Sequence, residues 1–479
     1  MARISSWLAI SCLSLCSVSC STATPRPPLP ADPAQALARS LAIINSATPA
    51  HPRVLKILFY GQSISTPKWT DQAMAALRGK YPNVAFDVRN LALGGWAAPI
   101  LERAVNRDID EFYPDLIVFH VYGDKNAYER IIRAFRTRTA ADIIVQTDHV
   151  VDPVEPLCDE GFHLRWSPPP GCTGHIRFKQ RVWEEYMSGI WIPTLSRKYD
   201  LAVEPRRQRW NAYLKAHRMQ PAALLADPPH PNASGWTVMA NLFSSWFEAL
   251  VEQQRFATPT PHGSAQIFAP PEVGTGKTYR FEGNRIELVA QGPLNGKVQV
   301  KIDGKAPQNT DGCWQNSRVS RLPNLPDWPG LKQVAVTPSY HEADRWTLRL
   351  TGFNSAQDRF NFTLTSAKKG PDGKGSADNP FTSPTGIVSI QPDDWILAYA
   401  KSVARKGAPE GVTLQWERRF VCTDQPAIAL GNGKVEQRHV LATGLVNGRH
   451  VVELKFSNDA PAISEIRTYR PSAPTLNWH

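Results

Sequence analysis

From residue 54 to residue 147 the chain alternates between short apolar runs and longer segments whose apolar residues recur at helical spacing. The apolar runs predict strands buried on both faces, and the segments between them predict amphipathic helices. The predicted strands are 55–60, 84–91, 115–121 and 142–146, and the predicted helices are 69–80, 98–112 and 126–137. Further helices are predicted at about 177–199, 206–217 and 233–253, with a short strand at 201–204. This order is typical of a doubly wound α/β domain with a parallel sheet, which we place at 51–255.

Beyond residue 272 the apolar residues recur with a period of two. Six segments show this alternation: 285–289, 297–304, 345–350, 359–364, 412–416 and 450–456. Short alternating strands separated by Asn-Gly, Asp-Gly and Gly-Pro turns indicate an antiparallel sandwich. The proline-rich segment 256–272 is predicted to be a linker. The second domain is therefore predicted to be an all-β sandwich over 273–479.

The N-terminus has the composition of an export signal. Arg3 precedes an apolar stretch over 7–18 that is too short to span a bilayer, and small residues follow it. We predict a signal peptide over 1–23, a tether of low structural content over 24–50, and a secreted or periplasmic protein. Lipidation of Cys20 is an alternative to simple cleavage nearby.

Cysteine usage agrees with export. Of seven cysteines, Cys158, Cys172, Cys313 and Cys422 lie beyond the signal region. An even number in an exported chain favours disulfides. Cys158 and Cys172 flank a short loop and are predicted to pair, which leaves Cys313 and Cys422 as a pair by elimination.

The net charge of +11 does not by itself indicate a nucleic-acid partner. The arginines cluster on two predicted helices, at 130–138 and 206–209, and neither cluster contains interleaved aromatic residues. Solvated helix faces explain these charges better than a nucleic-acid surface does.

The first predicted strand ends in Gly61-Gln62-Ser63, which places a serine at the carboxyl end of a parallel strand. Ligands of doubly wound sheets bind at that edge. The glycine allows a tight turn, and the following helix offers free N–H groups to an oxyanion. Taken alone, the position of Ser63 favours a helix-capping role over a catalytic one.

Three further groups of residues favour a catalytic role for Ser63 over a capping role. The second predicted strand is followed by Gly94-Gly95, which lets a backbone N–H approach a ligand closely, and polar residues gather at 120–126 after the third strand. Asp227-Pro-Pro-His230 precedes the last predicted helix, and its carboxylate can hold the imidazole tautomer that accepts a serine proton. Each group has a structural alternative as a turn or cap, but their joint order predicts acyl transfer.

In these residues and their order, the segment 54–254 resembles the SGNH hydrolases, also called the GDSL esterase and lipase superfamily. The resemblance places the nucleophile on Ser63, with Gln62 where Asp is commonest. It places the catalytic histidine on His230 and the carboxylate partner on Asp227. The fold it implies is a three-layer αβα, flavodoxin-like sandwich.

The second block, Asn90-x-Ala-x-Gly-Gly, is similar to the version in rhamnogalacturonan acetylesterase-like members of that family. It implies an oxyanion hole built from the backbone N–H groups of Ser63 and Gly95 and an asparagine side chain. The third block departs from the family's Gly-x-Asn-Asp, because Lys125 stands where the asparagine is expected. Asn126 is predicted as the third donor, with Asp124 or another group as alternatives.

Other candidates lie near the same sheet edge. His149 follows the fourth predicted strand, and both His149 and Trp96 are predicted to bind substrate. For His149, replacement of His230 as the base is an alternative. A metal site from Asp148, His149 and Asp152 is disfavoured, since such a loop is usually only polar, and neither a metal nor a cofactor is predicted. Ser65 is a rival nucleophile.

These residues predict an exported serine esterase that hydrolyses acyl esters, with acetyl esters on a polysaccharide favoured over other acylated small molecules. We predict no nucleic-acid partner, and a membrane partner only if Cys20 is lipidated. Two alternatives stay open: an O-acyltransferase with the same triad, and a glycan-binding protein with a disabled hydrolase domain. The predicted sandwich contains tryptophans that are candidates for stacking on sugars, although most of them are expected to pack in the core: Trp314, Trp328, Trp346, Trp395 and Trp416.

Overall fold

A five-stranded parallel sheet organises the N-terminal half of the chain. The computed structural model describes residues 29–151, 183–254, 265–269, 275–291, 298–423, 436–456 and 463–472. The strands are β1 (Arg53–Gly61), β2 (Val84–Asn90), β3 (Leu116–His120), β4 (Asp142–Gln146) and β5 (Ala202–Glu204). Their order, β2-β1-β3-β4-β5, is that of a flavodoxin-like sheet. The predicted doubly wound α/β fold is confirmed.

Helices cover both faces of this sheet. They are α1 (Pro33–Ala36), α2 (Ala38–Ser46), α3 (Pro67–Lys80), α4 (Ala98–Leu101), α5 (Val105–Phe112), α6 (Lys125–Arg138), α7 (Ile192–Tyr199), α8 (Arg206–Ala216) and α9 (Ala233–Gln254). Apolar residues of α1, α2, α3, α8 and α9 share one core with the sheet, and those of α4 to α7 share the other. Between α8 and α9 the short strands β6 (Leu225–Asp227) and β7 (His230–Pro231) pair antiparallel.

Register brings the carboxyl ends of three strands together. Gly61 of β1 pairs with His120 of β3, and Phe59 of β1 pairs with Asn90 of β2. Side chains that follow these strand ends therefore lie at one edge of the sheet, where ligands of this fold bind.

Two helix predictions differ in detail from the structure. The predicted helix over 98–112 is two helices, α4 and α5, separated by a turn. The structure describes the predicted helix over 177–199 from residue 183 onwards. Within this part, a π-helical stretch, Met187–Trp191, leads into α7.

The predicted tether over 24–50 is wrong for residues 33–46, which form α1 and α2. Leu37 and Leu41 are fully buried, and the Ser40 N–H donates to Asp142 Oδ2 at 2.6 Å. Leu37 lies between the two helices, and within α2 Leu41 and Ile44 are three positions apart and so occupy one helix face. The predicted signal peptide, including Cys20, lies outside the described residues.

Antiparallel strands make up the C-terminal half. They are β8 (Ala265–Phe268), β9 (Gly276–Gly283), β10 (Arg285–Gln291), β11 (Val298–Ile302), β12 (Trp314–Asn316), β13 (Ala335–Val336), β14 (Asp344–Thr351), β15 (Asn361–Ser366), β16 (Gly370–Ser376), β17 (Phe381–Thr382), β18 (Val388–Ile390), β19 (Thr413–Phe420), β20 (Glu436–Ala442), β21 (Gly448–Phe456) and β22 (Ile463–Tyr469), with one helix, α10 (Leu397–Ala404). Every alternating segment singled out in the sequence overlaps one of these strands, so the β-rich second part is confirmed. The predicted linker is wrong at 265–268, because β8 pairs with β22 there.

The strands of this second part fall into two groups, and one group is inserted in the sequence between strands of the other. Strands β8 to β11 and β20 to β22 form two sheets, β20-β10-β22-β8 and β11-β21-β9. Strands β12 to β19 form two others, β12-β19-β14-β15-β16 and β13-β18-β17. A disulfide between Cys313 and Cys422 joins the two ends of this inner segment, which confirms the pairing inferred by elimination. The predicted pair of Cys158 with Cys172 lies outside the described residues.

The two halves of the chain share a core. The apolar cluster on the α4 to α7 face continues into the inner β segment and includes Trp328, Trp346 and Leu414. Ion pairs also cross between the halves: Arg103 with Asp394 at 2.6 Å and Arg318 with Asp108 at 2.7 Å. The β-rich half is therefore packed against the α/β half. In the described part of the chain, no helix has the length and apolar character needed to cross a bilayer.

Candidate active site

Ser63 follows β1 after one intervening residue, Gln62, and starts a single 3-10 turn, Ser63–Ser65. Gly61 has φ of +151°, and a Cβ built there would approach the His120 carbonyl oxygen to 1.9 Å. Only glycine fits this crowded junction between β1 and β3. The close approach of the two strand ends is what presents Ser63 at the sheet edge.

His230 and Asp227 reach Ser63 from the β6–β7 ribbon. Asp227 and His230 are paired across the ribbon, and His230 Nδ1 lies 2.6 Å from Asp227 Oδ1. His230 Nε2 lies 2.9 Å from Ser63 Oγ. If Nδ1–H donates to the carboxylate, Nε2 carries the lone pair that accepts the serine proton. Ser63, which lies 167 positions from His230 in the sequence, is thus brought into one chain of hydrogen bonds with His230 and Asp227.

This chain of side chains is open to solvent. The exposed fraction of the His230 side chain is 39% and that of Asp227 is 62%. The rival nucleophile Ser65 is only 1% exposed, and its Oγ donates to the His120 carbonyl at 3.3 Å. Ser65 is therefore closed to substrate, whereas Ser63 is half-buried and lies beside His230.

The loop after β2 lies against the nucleophile. The Leu93 N–H donates to the Gly61 carbonyl at 3.0 Å, and a Cβ built on Gly94 would lie 3.9 Å from Ser63 Cβ. Among the hydrogen bonds of the described residues, none is donated by the backbone N–H of Ser63 or of Gly95. Both donors thus have no acceptor in the described structure.

Asn90 holds this loop and the serine turn together, a role the sequence did not reveal. Its Nδ2 donates to the Ser65 carbonyl at 2.7 Å and to Thr70 Oγ1 at 3.1 Å. Its Oδ1 accepts from the Ala92 N–H at 3.0 Å. The sequence feature that pointed to this role was the position of Asn90 at the start of the second block, Asn90-x-Ala-x-Gly-Gly.

The third block is built differently from the family pattern. Asp124 caps α6, since its carboxylate accepts a hydrogen bond from the Ala127 N–H at 2.8 Å. The Lys125 ammonium lies 5.4 Å from the ring centre of Tyr186 and 5.0 Å from that of Trp191. Asn126 is exposed in the first turn of α6. Its role as an oxyanion donor stays a prediction.

Two predicted substrate-binding residues are buried. Trp96 is 0% exposed and packs edge-on against Trp328 from the β-rich half. His149 is also 0% exposed and packs against Trp210. Neither side chain reaches the surface, and this burial argues against a substrate-binding role for Trp96 and for His149. The same burial removes His149 as a replacement base.

The candidate metal residues are used elsewhere. His120 Nε2 lies 2.7 Å from Asp148 Oδ1, and both side chains are buried. Burial raises the pKa of Asp148 and lowers the pKa of His120. Asp152 lies outside the described residues, and within the described ones no group of three or more His, Cys, Asp or Glu residues could hold a metal ion.

His149 instead holds the loop that carries Asp227 and His230. Its Nε2 lies 2.8 Å from the Pro229 carbonyl oxygen, inside the segment between Asp227 and His230. Burial, with the positive charge of Arg206, lowers the pKa of His149 to about 3. A neutral imidazole that donates Nε2–H to this carbonyl fixes the position of the loop.

Replacing His149 with phenylalanine is expected to lower kcat by roughly 10- to 100-fold, because a displacement of about 1 Å at a catalytic group has an effect of that size. Since the imidazole is neutral, the loss should be the same from about pH 5 to about pH 8. The measurement is kcat for a small ester at several pH values. His149→Gln, whose amide can donate to Pro229, should recover most of the rate. A phenylalanine variant with the wild-type kcat would contradict this role.

Comparisons with known proteins do not indicate a function for this chain, so a functional proposal rests on the geometry of the site. No family model matches the sequence, and no curated protein matches it. A two-domain esterase (CEX) active on acetylated mannans is a structural match at 12% identity and a TM-score of 0.33, over 93% of this chain and 97% of that chain. Axe2, an acetylxylan esterase from Geobacillus stearothermophilus, matches at 17% identity and a TM-score of 0.30, over 41% of this chain and 94% of that chain. At these TM-scores neither likeness supports an inference about this chain.

Proposed function

We propose that the protein is a serine esterase. The observation that carries this proposal is the continuous hydrogen-bonded chain from Ser63 Oγ through His230 to Asp227. A structural cap does not need a carboxylate on the far nitrogen of an imidazole, whereas a serine nucleophile does. Ser63 follows the end of β1, whereas His230 and Asp227 lie on the β6–β7 ribbon. Two separate parts of the chain therefore supply the three side chains.

In the proposed reaction, Ser63 Oγ attacks the ester carbonyl carbon while His230 Nε2 takes the hydroxyl proton. Asp227 holds the imidazole and stabilises its positive charge. The backbone N–H groups of Ser63 and Gly95, with Asn126, donate to the oxygen that becomes negative. His230 then gives its proton to the leaving alcohol, and a water molecule, activated by the same histidine, releases the acid from Ser63.

We also propose that the enzyme is an SGNH hydrolase acting on acyl groups of a polysaccharide, with acetyl groups favoured, after export from the cytoplasm. Support comes from the sequence blocks around Ser63, Gly95 and His230 and from the attached β-rich half. The exposed triad suits a polymer, because a long chain can lie across an open surface. The Cys313–Cys422 disulfide agrees with an oxidising compartment.

The proposal is tested by measuring acetate release from acetylated rhamnogalacturonan, mannan and xylan fragments, with wild type and Ser63→Ala side by side. We expect acetate from at least one polymer with wild type and none above background with the variant. A long-chain p-nitrophenyl ester serves as a control and should be a poor substrate. Transfer of acetyl to an added sugar without acetate release would favour the acyltransferase. Glycan binding equal in both proteins, with no turnover of any ester, would contradict an esterase.

A further inference from the structure

A tryptophan from the β-rich half contacts the glycine loop beside Ser63. Trp328 is 4% exposed, and its Nε1–H donates to the Gly94 carbonyl oxygen at 2.8 Å. The ring also lies against Gly95, since a Cβ built there would meet Trp328 Cζ2 at 2.8 Å. Gly95 has φ of +82°, a conformation that glycine adopts without strain. The loop and the ring therefore fit each other closely.

This contact sets the direction of the candidate oxyanion donor. The Gly94 carbonyl and the Gly95 N–H belong to one peptide group, which is planar and trans, so the two bonds point in opposite directions. Trp328 holds the carbonyl on its own side, and the Gly95 N–H then points away from Trp328. A pair of glycines permits such a peptide to flip. The indole N–H is the described contact that opposes the flip.

Tyr399, on α10, holds the next carbonyl of the same loop. Its hydroxyl donates to the Gly95 carbonyl oxygen at 3.1 Å. Its ring stacks on Trp328, with ring centres 5.3 Å apart and an angle of 12° between the planes. Two successive carbonyls are thus held by one stacked aromatic pair.

The aromatic pair is itself anchored to the α/β half. Trp96, which directly follows Gly95, packs against Trp328 with ring centres 6.4 Å apart. Arg103, after α4, pairs with the buried Asp394 at 2.6 Å, three residues before α10 begins. The glycine loop and the β-rich half therefore form a single packed unit.

We propose that Trp328 and Tyr399 are positioning residues of the active site, which hold the Gly94–Gly95 peptide so that the Gly95 N–H faces the acyl oxygen. The proposal rests on the esterase function proposed above. It gives the β-rich half a part in the chemistry, because that half is then needed for turnover of even a small ester with no sugar to bind. A separate glycan-binding module would have no such effect.

The test compares Trp328→Phe and Tyr399→Phe with Trp416→Phe in the full chain. Trp416 is 1% exposed in the same β segment, and within the described residues its indole N–H has no hydrogen-bond partner. It is therefore a matched control that loses no contact to the glycine loop. The readouts are kcat and KM for p-nitrophenyl acetate, the melting temperature, and the rate at which a fluorophosphonate labels the protein.

We expect Trp328→Phe to lower kcat and the labelling rate by roughly 10- to 100-fold with KM within about twofold. Removal of an oxyanion donor costs about 100- to 1,000-fold, and this variant displaces the donor without removing it. Tyr399→Phe, at a residue that is 40% exposed, should lower both by a smaller factor of about 3 to 10. Trp416→Phe should retain the wild-type kcat. A role in packing alone would lower the melting temperature without changing kcat of the folded protein.

Two outcomes would overturn the proposal while leaving the esterase function in place. The first is a wild-type kcat in both Trp328→Phe and Tyr399→Phe while wild type hydrolyses the ester. The second is an equal loss of kcat in Trp416→Phe. If Trp328→Phe does not fold, Tyr399→Phe decides alone, because its side chain is at the surface. Absence of turnover and labelling in wild type itself would instead refute the esterase function, and the proposal with it.

Discussion

Ser63→Ala is expected to lower kcat/KM for p-nitrophenyl acetate by roughly four to six orders of magnitude, because removal of a catalytic serine leaves only binding and oxyanion stabilisation. His230→Ala should cause a loss of similar size. The double variant should be little worse than either single variant, since the two side chains act as one unit. The measurement is the initial rate at matched concentrations of folded protein.

Ser65→Ala is the matched control for this prediction. Ser65 lies in the same 3-10 turn, but its hydroxyl is buried and bonded to the His120 carbonyl. Its loss should change kcat/KM by less than about tenfold, because one buried hydrogen bond contributes about 1 kcal/mol. If Ser65→Ala abolished activity and Ser63→Ala did not, the nucleophile would have to be reassigned.

Arg438→Met is expected to lower the free energy of unfolding by about 3 to 5 kcal/mol, the cost of removing one partner from a buried ion pair. Arg438 is 7% exposed in its side chain and joins the two halves of the chain. Its guanidinium lies 2.6 Å from Asp115 Oδ2 and also donates to the Val54 carbonyl at 2.6 Å. Glu436 Oε1 accepts from Nε at 2.7 Å. The measurement is urea denaturation followed by tryptophan fluorescence.

Arg449→Met is the control, because that arginine is 92% exposed and pairs only at the surface with Glu282. Its loss should lower the free energy of unfolding by about 1 kcal/mol or less. Equal losses in the two variants would show that the Arg438 network does not hold the halves together.

Asp115 adds a pH dependence to the same network. Burial alone would raise the pKa of this carboxyl, but the positive charges of Arg438 and Arg39 outweigh burial and hold the pKa well below its usual 3.8. A carboxyl whose pKa is lowered in the folded state stabilises that state above its unfolded pKa, and this contribution is lost as the pH falls below about 3.8. The stability difference between wild type and Arg438→Met should therefore shrink in acid.

The α/β fold was predictable because its central strands, β3 and β4, are built around short apolar runs. All five residues of β3 and all five of β4 are buried, as a parallel sheet covered on both faces requires. Ser63, Asp227 and His230 were predictable as a set because each lies at a loop that this fold directs to one edge. The spacing of Asp227 and His230 also suited a short ribbon that lets their side chains meet.

What covers a residue was harder to predict than where it lies on a strand. His149 does follow β4 at the correct edge, but Trp210 and the Pro229 carbonyl enclose it. Trp96 follows the glycine loop, and Trp328 from the distant β-rich half closes over it. Such burial depends on contacts between segments far apart in sequence, which local periodicity does not describe.

Helices α1 and α2 were missed for a related reason. The segment before them is rich in proline, and that composition masked the helical spacing of Leu41 and Ile44. Their stability comes from tertiary contacts, including the bond from Ser40 to Asp142 on β4. Short helices are stabilised mainly by packing rather than by their own propensity.

The most direct test of the account is to label the wild-type protein with a fluorophosphonate and map the modified peptide by mass spectrometry. A serine activated by His230 reacts covalently with this reagent, whereas a capping serine does not. We expect one modification, on Ser63, and loss of labelling in both Ser63→Ala and His230→Ala. Labelling of another residue, or no labelling of folded wild-type protein, would contradict the assignment of Ser63 as the nucleophile.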